Sequence, residues 1–229
     1  MSFFEQSVFF GMFISLSSYM IGLLLYRKFK IALLNPLLIS VILCIAFLAV
    51  FKLDYSVYLR GAKYLSHLLT PATVCLAIPL YEKLSLLKKN FRALAAGICT
   101  GVISTFACVF GIGFLFGLER AEYITLLPKS VTTAIGIAIS EQLGGYVTIT
   151  VAVILITGIT GNMLSPLICR VFKITDPIAR GVAIGCASHA VGTAKAAQMG
   201  EIEGAVSSLS LVVTAILTLL CAAVAAQFL

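Results

Sequence analysis

The stretch that decides the fold is Gly204-Ala205-Val206-Ser207-Ser208-Leu209-Ser210-Leu211-Val212-Val213-Thr214-Ala215-Ile216-Leu217-Thr218-Leu219-Leu220-Cys221-Ala222-Ala223-Val224-Ala225-Ala226-Gln227-Phe228. It carries no charge, and its polar members are Ser, Thr and a single Gln. At 1.5 Å per residue a helix over it is about 37 Å long, enough for the ~30 Å hydrocarbon layer of a bilayer. Val8–Tyr26, Pro36–Phe51, Arg92–Gly117 and Tyr146–Ile168 read the same way, each apolar and bounded by charged or turn residues. Over the 229 residues, 61% are apolar and 11% charged, less than half the roughly 25% charge of a soluble domain. A water-soluble enzyme, a disordered tail and a nucleic-acid module are excluded together. The expected fold is an all-α polytopic membrane protein, residues 1–229 forming one integral membrane domain. Val8–Tyr26 lacks a basic leader and a small-residue cleavage site, so it reads as a retained helix.

Three further segments are short or interrupted. Leu65–Leu80 contains Pro71 and Pro79. Tyr123–Ser140 contains Pro128 and stops before Glu141 and Gly144-Gly145. Gly181–Gly200 holds Gly185, His189, Gly192 and Lys195. The net charge of +7 is read as topology, because Lys and Arg collect between the apolar runs. With the N-terminus outside and Leu65–Leu80 spanning, a Tyr123–Ser140 that enters and leaves on one side gives a strongly basic cytoplasmic face. That face then holds Arg27, Lys28, Lys30, Lys83, Lys88, Lys89, Arg92, Arg170, Lys173 and Arg180, against Lys52, Arg60, Lys63 and Arg120 outside. If Tyr123–Ser140 crosses fully, Arg170, Lys173 and Arg180 move outside and the asymmetry vanishes. The expectation is six spans plus two re-entrant or broken helices.

An internal echo accompanies this pattern. Val50-Phe51-Lys52-Leu53, Asp54 and His67 parallel Val171-Phe172-Lys173-Ile174, Asp176 and His189, with the same Asp-to-His separation. Inverted repeats with discontinuous helices near the bilayer midplane are a transporter signature; chance similarity in apolar sequence is the competing account.

Polar residues inside the apolar chain mark the candidate site. In Leu127-Pro128-Lys129-Ser130-Val131-Thr132-Thr133, proline suits a helix start. The free N–H groups, the hydroxyls of Ser130, Thr132 and Thr133 and the Lys129 ammonium would together hold a small anion. The competing reading is a snorkelling lysine beside hydroxyls bonded to their own helix. In Ser188-His189-Ala190-Val191-Gly192-Thr193-Ala194-Lys195, followed by Gln198, ionisable groups within a membrane element line a pathway or find a partner. Ser188, Gly192 and Lys195 share one helical face, with His189 and Thr193 beside it. A satisfied buried histidine, and Lys195 paired with Glu201 or Glu203, is the bland alternative. His189 is the candidate for proton coupling. Pro71 and Thr73, Asn162 and Gln198 are candidates to line a cavity; Asn162 reads equally as an interhelical hydrogen-bonding residue. The seven cysteines are scattered singly and no Cys/His spacing suits a metal. No nucleophile–base pair is recognisable, so neither enzyme chemistry, metal nor cofactor is expected.

Four motifs in order resemble the LrgB/CidB family of bacterial membrane proteins: Asn35-Pro36-Leu37-Leu38, Pro71-Ala72-Thr73-Val74-Cys75-Leu76-Ala77-Ile78-Pro79-Leu80-Tyr81, the Leu127–Thr133 stretch and the Ser188–Lys195 stretch. The likeness continues through Gly204–Ser208 and covers nearly the whole chain. Cys75 stands where alanine is expected, and Ala134 where proline is expected. The resemblance implies a multi-pass protein of the bacterial inner (cytoplasmic) membrane and two functional readings. One is transport of a small monocarboxylate anion such as pyruvate or glycolate. The other is antiholin-like control of murein hydrolase export and cell lysis beside a small LrgA/CidA-type membrane partner. The residues lean to transport, because a lesion-forming protein needs no internal Lys/His/Thr site. A homo-oligomer is expected; nucleic acid is not.

Overall fold

The computed structural model describes residues 7–29, 31, 34–75 and 77–228, and all regular structure among them is helical. In order these are α1 (Phe10–Phe29), α2 (Pro36–Val50), α3 (Tyr55–His67), α4 (Leu69–Cys75), α5 (Ala77–Glu82), α6 (Leu84–Lys89), α7 (Phe91–Phe116) and α8 (Arg120–Leu126). A 3-10 turn (Leu127–Ser130) leads to α9 (Thr133–Leu143), α10 (Val147–Val171), α11 (Pro177–Met199) and α12 (Glu201–Ala225). The chain packs as two compact units, Met1–Cys75 and Leu76–Leu229.

Helices α1, α7, α10 and α12, of 20, 26, 25 and 25 residues, are long and apolar enough to cross a bilayer. The 15 residues of α2 reach only about 22 Å. The sixth expected span, Leu65–Leu80, is not one helix: α3 stops at His67, and short helices restart at Leu69 and Ala77. Pro71 and Pro79 each fall in a first turn, the place where a missing N–H removes no helical hydrogen bond. Leu76 lies outside the described residues.

In the first unit, α1 packs against α2 and α3, around Phe10, Leu53 and Val57. Gly11 and Gly61 bring α1 and α3 into backbone contact; a Cβ on Gly61 would stand 2.6 Å from the Gly11 nitrogen. The sequence echo has a matching local geometry. Lys52 (φ +49°) and Lys173 (φ +53°) both end a helix in the left-handed region, with Leu53 N donating to Leu48 O and Ile174 N to Cys169 O. Asp54 then caps α3 through Ser56 N at 3.0 Å, and Asp176 caps α11 through Ala179 N at 2.8 Å. Beyond that the copies diverge. His67 is exposed at a helix end, whereas His189 is buried at a reversal.

The second unit holds the short helices α5 and α6, three long helices and two helical hairpins. Residues 120–143 form the first. Tyr146 N donates to Thr125 Oγ1 at 2.8 Å, and Thr150 Oγ1 donates to Thr125 O at 3.1 Å and to Ser140 Oγ at 2.9 Å. Both ends of the segment therefore meet at one level of α10, and the chain turns at Val131–Thr132, where the backbone is extended. Tyr123–Ser140 is re-entrant.

Residues 177–199 form the second hairpin. Helical geometry is lost at Ser188 (φ −132°, ψ 18°) and His189 (φ +41°, ψ −144°). A Cβ on Gly192 would lie 3.3 Å from the Ile184 carbonyl oxygen, where eight residues of straight helix would separate them by about 12 Å. The first arm runs alongside α12 in its own direction, Gly181 against Val206 and Gly185 against Ser210. The second returns antiparallel, Thr193 against Ser207 and Ala197 against Gly204. Gly181–Gly200 thus turns back.

The hairpins enter from opposite faces. Arg120 Nη2 donates to Ala226 O at 3.1 Å, at the end of α12. Arg180 pairs with Glu203 at 3.6 Å and Lys83 with Glu201 at 2.8 Å, at its start. Lys83, Lys88, Lys89, Arg92, Arg170, Lys173 and Arg180 all belong to the face of the second hairpin, and Arg120 to the other. The positive-inside rule makes the former cytoplasmic.

The hydroxyl knot at the base of the first hairpin is testable. Thr150→Val strips the shared donor from Thr125 O and Ser140 Oγ, and should lower stability in detergent by about 1–2 kcal/mol. Thr150→Ser, which keeps the donor, should lose markedly less in the same thermal unfolding assay.

Candidate functional site

Both hairpin tips meet on one face of α10. Gly136 of the first hairpin lies against Ile154, and a Cβ on it would stand 3.7 Å from Pro128 Cβ across the turn. Four residues of helix, about 6 Å, separate Gly136 from Thr132 and Ile154 from Gly158, so the turn reaches the level of Gly158. There the second hairpin arrives. His189 faces Gly158, and Ser188 occupies the space a Cβ on Gly161 would take. The turn Leu127–Ser130 touches α10, α11 and α12.

Side chains tie the second break to its surroundings. His189 Nε2 donates to Ile154 O at 3.0 Å, which places its hydrogen on Nε2. Thr193 Oγ1 donates to His189 O at 2.9 Å and lies 2.9 Å from Ser207 Oγ. Asn162 Nδ2 donates to Val191 O at 2.8 Å, so the interhelical reading of Asn162 is the one observed. His189 holds φ +41° without being glycine, a conformation costing about 1–3 kcal/mol that only dense packing sustains.

The first tip is built differently. Pro128 and Val131 are buried, and Ser130 is 2% exposed. Thr132 and Thr133 are half-buried at the start of α9. The Thr132 side chain does not cap that helix, so its first N–H groups are left for another acceptor. Lys129 is half-buried and its Nζ donates to Ser130 Oγ at 3.2 Å.

Of the residues singled out from the sequence, Lys129, Ser130, Thr132, Thr133, Ser188, His189, Gly192 and Thr193 lie at the two tips, with Asn162 beside them. Lys195 sits farther down the returning arm, 3.4 Å from Gln198 Oε1, and neither reaches a tip. Lys195 pairs with neither Glu201 nor Glu203, which are taken by Lys83 and Arg180. The Glu201 hydrogen bond holds the Lys83 ammonium above its ordinary pKa. Pro71 is exposed in the other unit, and the side chain of Thr73 is outside the described part. Among the described residues no His, Cys, Asp and Glu side chains gather to hold a metal.

Sequence reasoning missed the polar stripe of α12, where Ser207, Ser210, Thr214 and Thr218 are buried. Their recurrence every three or four residues was its available signal. It also passed over Gly158 and Gly161, whose role depends on what packs against them.

The sequence profile described as the LrgB-like family matches residues 15–228. The chain belongs to the LrgB-like family. Among its relatives, the holin-like protein CidB of Staphylococcus epidermidis is 40% identical over 83% of both chains, and that of Staphylococcus aureus 39% over 85%. The antiholin-like protein LrgB of Bacillus cereus is 36% identical over 92% of both. No solved structure matches. Four apolar helices and these relatives make this LrgB-like chain a multi-pass bacterial membrane protein.

Gly161→Ala should unseat the second tip, since its methyl collides with Ser188. Overpacking of this kind costs about 1–3 kcal/mol. Thermal unfolding should show the loss, and Gly161→Ala with Ser188→Gly should recover part of it.

Proposed function

We propose that this LrgB-like protein carries a small monocarboxylate, such as pyruvate or glycolate, across the bacterial inner membrane and binds it at the hairpin tips. The observation behind this is the charge of Lys129. It is half-buried at a break in the membrane, its polar contact is a hydroxyl, and among the described residues no acidic group pairs with it. A cation without a counter-ion in a low-dielectric interior costs several kcal/mol, of the order seen when one partner of a buried pair is removed. A bound carboxylate removes that cost and accepts from Ser130, Thr132, Thr133 and the free N–H groups of α9. Opposed hairpins also suit alternating access, because either tip can part from a site held by the other.

His189 stands beside the site with Nε2 committed to Ile154 O. Proton coupling through this ring therefore runs by way of Nδ1.

The names of the relatives, holin-like and antiholin-like, favour a second reading: a regulator of murein hydrolase export and cell lysis, working with a small LrgA/CidA-type membrane protein. Under that reading Lys129 serves assembly and no solute saturates the protein.

Uptake of labelled pyruvate and glycolate into proteoliposomes, with and without such a partner, separates the two. The carrier reading expects saturable uptake that falls at least tenfold in Lys129→Gln, with Lys195→Gln much milder. Absence of uptake from folded protein in every combination rejects the carrier.

A further inference from the structure

A cavity of about 510 Å³ runs between α7 and the first arm of the second hairpin. Ala93 and Asp176 line its cytoplasmic end, Thr100 and Ser104 its wall, Thr105 and Ala187 its inner end. Ala187 adjoins Ser188 at the second tip. At about 30 Å³ for each liquid water, the space takes a small carboxylate together with part of its hydration shell.

Among the described residues Asp176 is the one charged lining residue, and basic residues flank the cavity's cytoplasmic end. Arg92 adjoins Ala93, Arg180 adjoins the lining residue Ala179, and Lys89 and Lys173 belong to the same face. Arg180 is shared with Glu203, and Asp176 is turned to the N-terminus of its own helix by Ala179 N. The mouth is thus net basic, which concentrates anions and speeds their arrival. Thr100 Oγ1 and Ser104 Oγ donate to their own helix at Ala96 O and Gly101 O, bonds a hydroxyl can exchange for a passing carboxylate.

We infer that this cavity is the cytoplasmic access path along which a small anion reaches the hairpin tips. The inference rests on the carrier reading for its cargo, but the path has properties of its own. They are entry from the cytoplasmic face and a preference for negative charge.

Thr100→Cys, Ser104→Cys and Ala187→Cys, each made singly in the otherwise native chain, test it. Inside-out and right-side-out vesicles would be treated with membrane-impermeant thiosulfonates, one anionic and one cationic, and the modified peptides mapped by mass. Phe114→Cys, at an 87% exposed apolar position of α7, supplies the lipid-facing control. Modification is expected from the cytoplasmic side, at least fivefold faster with the anionic reagent. Arg92→Glu should narrow or reverse that preference. Rates no higher than at Phe114→Cys, or no preference between reagents, overturn the path even where uptake is intact. The expected pattern in protein that shows no uptake sustains an anion-accessible vestibule and rejects the carrier reading alone.

Discussion

Hydrocarbon offers no hydrogen bonds, so each backbone group that leaves a helix inside the membrane needs a partner from the protein itself. Two helical hairpins in one unit break this economy twice, at Val131–Thr132 and at Ser188–His189. Side chains pin the second break to its surroundings. A ring nitrogen goes to Ile154 O, a hydroxyl to His189 O and an amide to Val191 O. All of this is possible only because α10 offers Gly158 and Gly161 on the facing side. Any larger residue there would hold the tip away and strand those groups. The rest of the unit, including the level at which the first turn arrives, follows from that seat.

The two hairpins are fastened by different physics. The first is tied at its base by Thr125, Ser140 and Thr150, buried hydroxyls that neither salt nor pH alters. The second is tied at the aqueous face by Arg180–Glu203, where ion pairs are worth about 0–1 kcal/mol and are screened, and along α12 by the close packing of Gly181 and Gly185. Its tip also stores strain at His189, and an open cavity runs along its first arm.

Much of this was legible in the sequence because bilayers impose simple rules. The uncharged run through Gly204–Phe228 required a long helix, and the basic residues around Arg170–Arg180 required a re-entrant segment before them. Pro128 beside Lys129 and the cluster around His189 marked where the helices fail. What stayed hidden depends on pairing in space. Nothing local to Gly158 or Gly161 tells which side chain will sit on them. Lys195 and Gln198 share spacing with the tip residues, but the chain reverses at His189, and helical periodicity cannot be carried through a reversal. The echo between Asp54–His67 and Asp176–His189 was real as a helix-end and capping motif; it did not extend to the fate of the histidine.

The left-handed histidine, the uncapped start of α9 and the unpaired Lys129 are each unfavourable, together by several kcal/mol on the usual scale of such features. They are located together, at mid-depth, where the tips of opposed hairpins converge. Unfavourable features gathered at one place, and relieved together by one small anion, are what the proposed carrier reading accounts for.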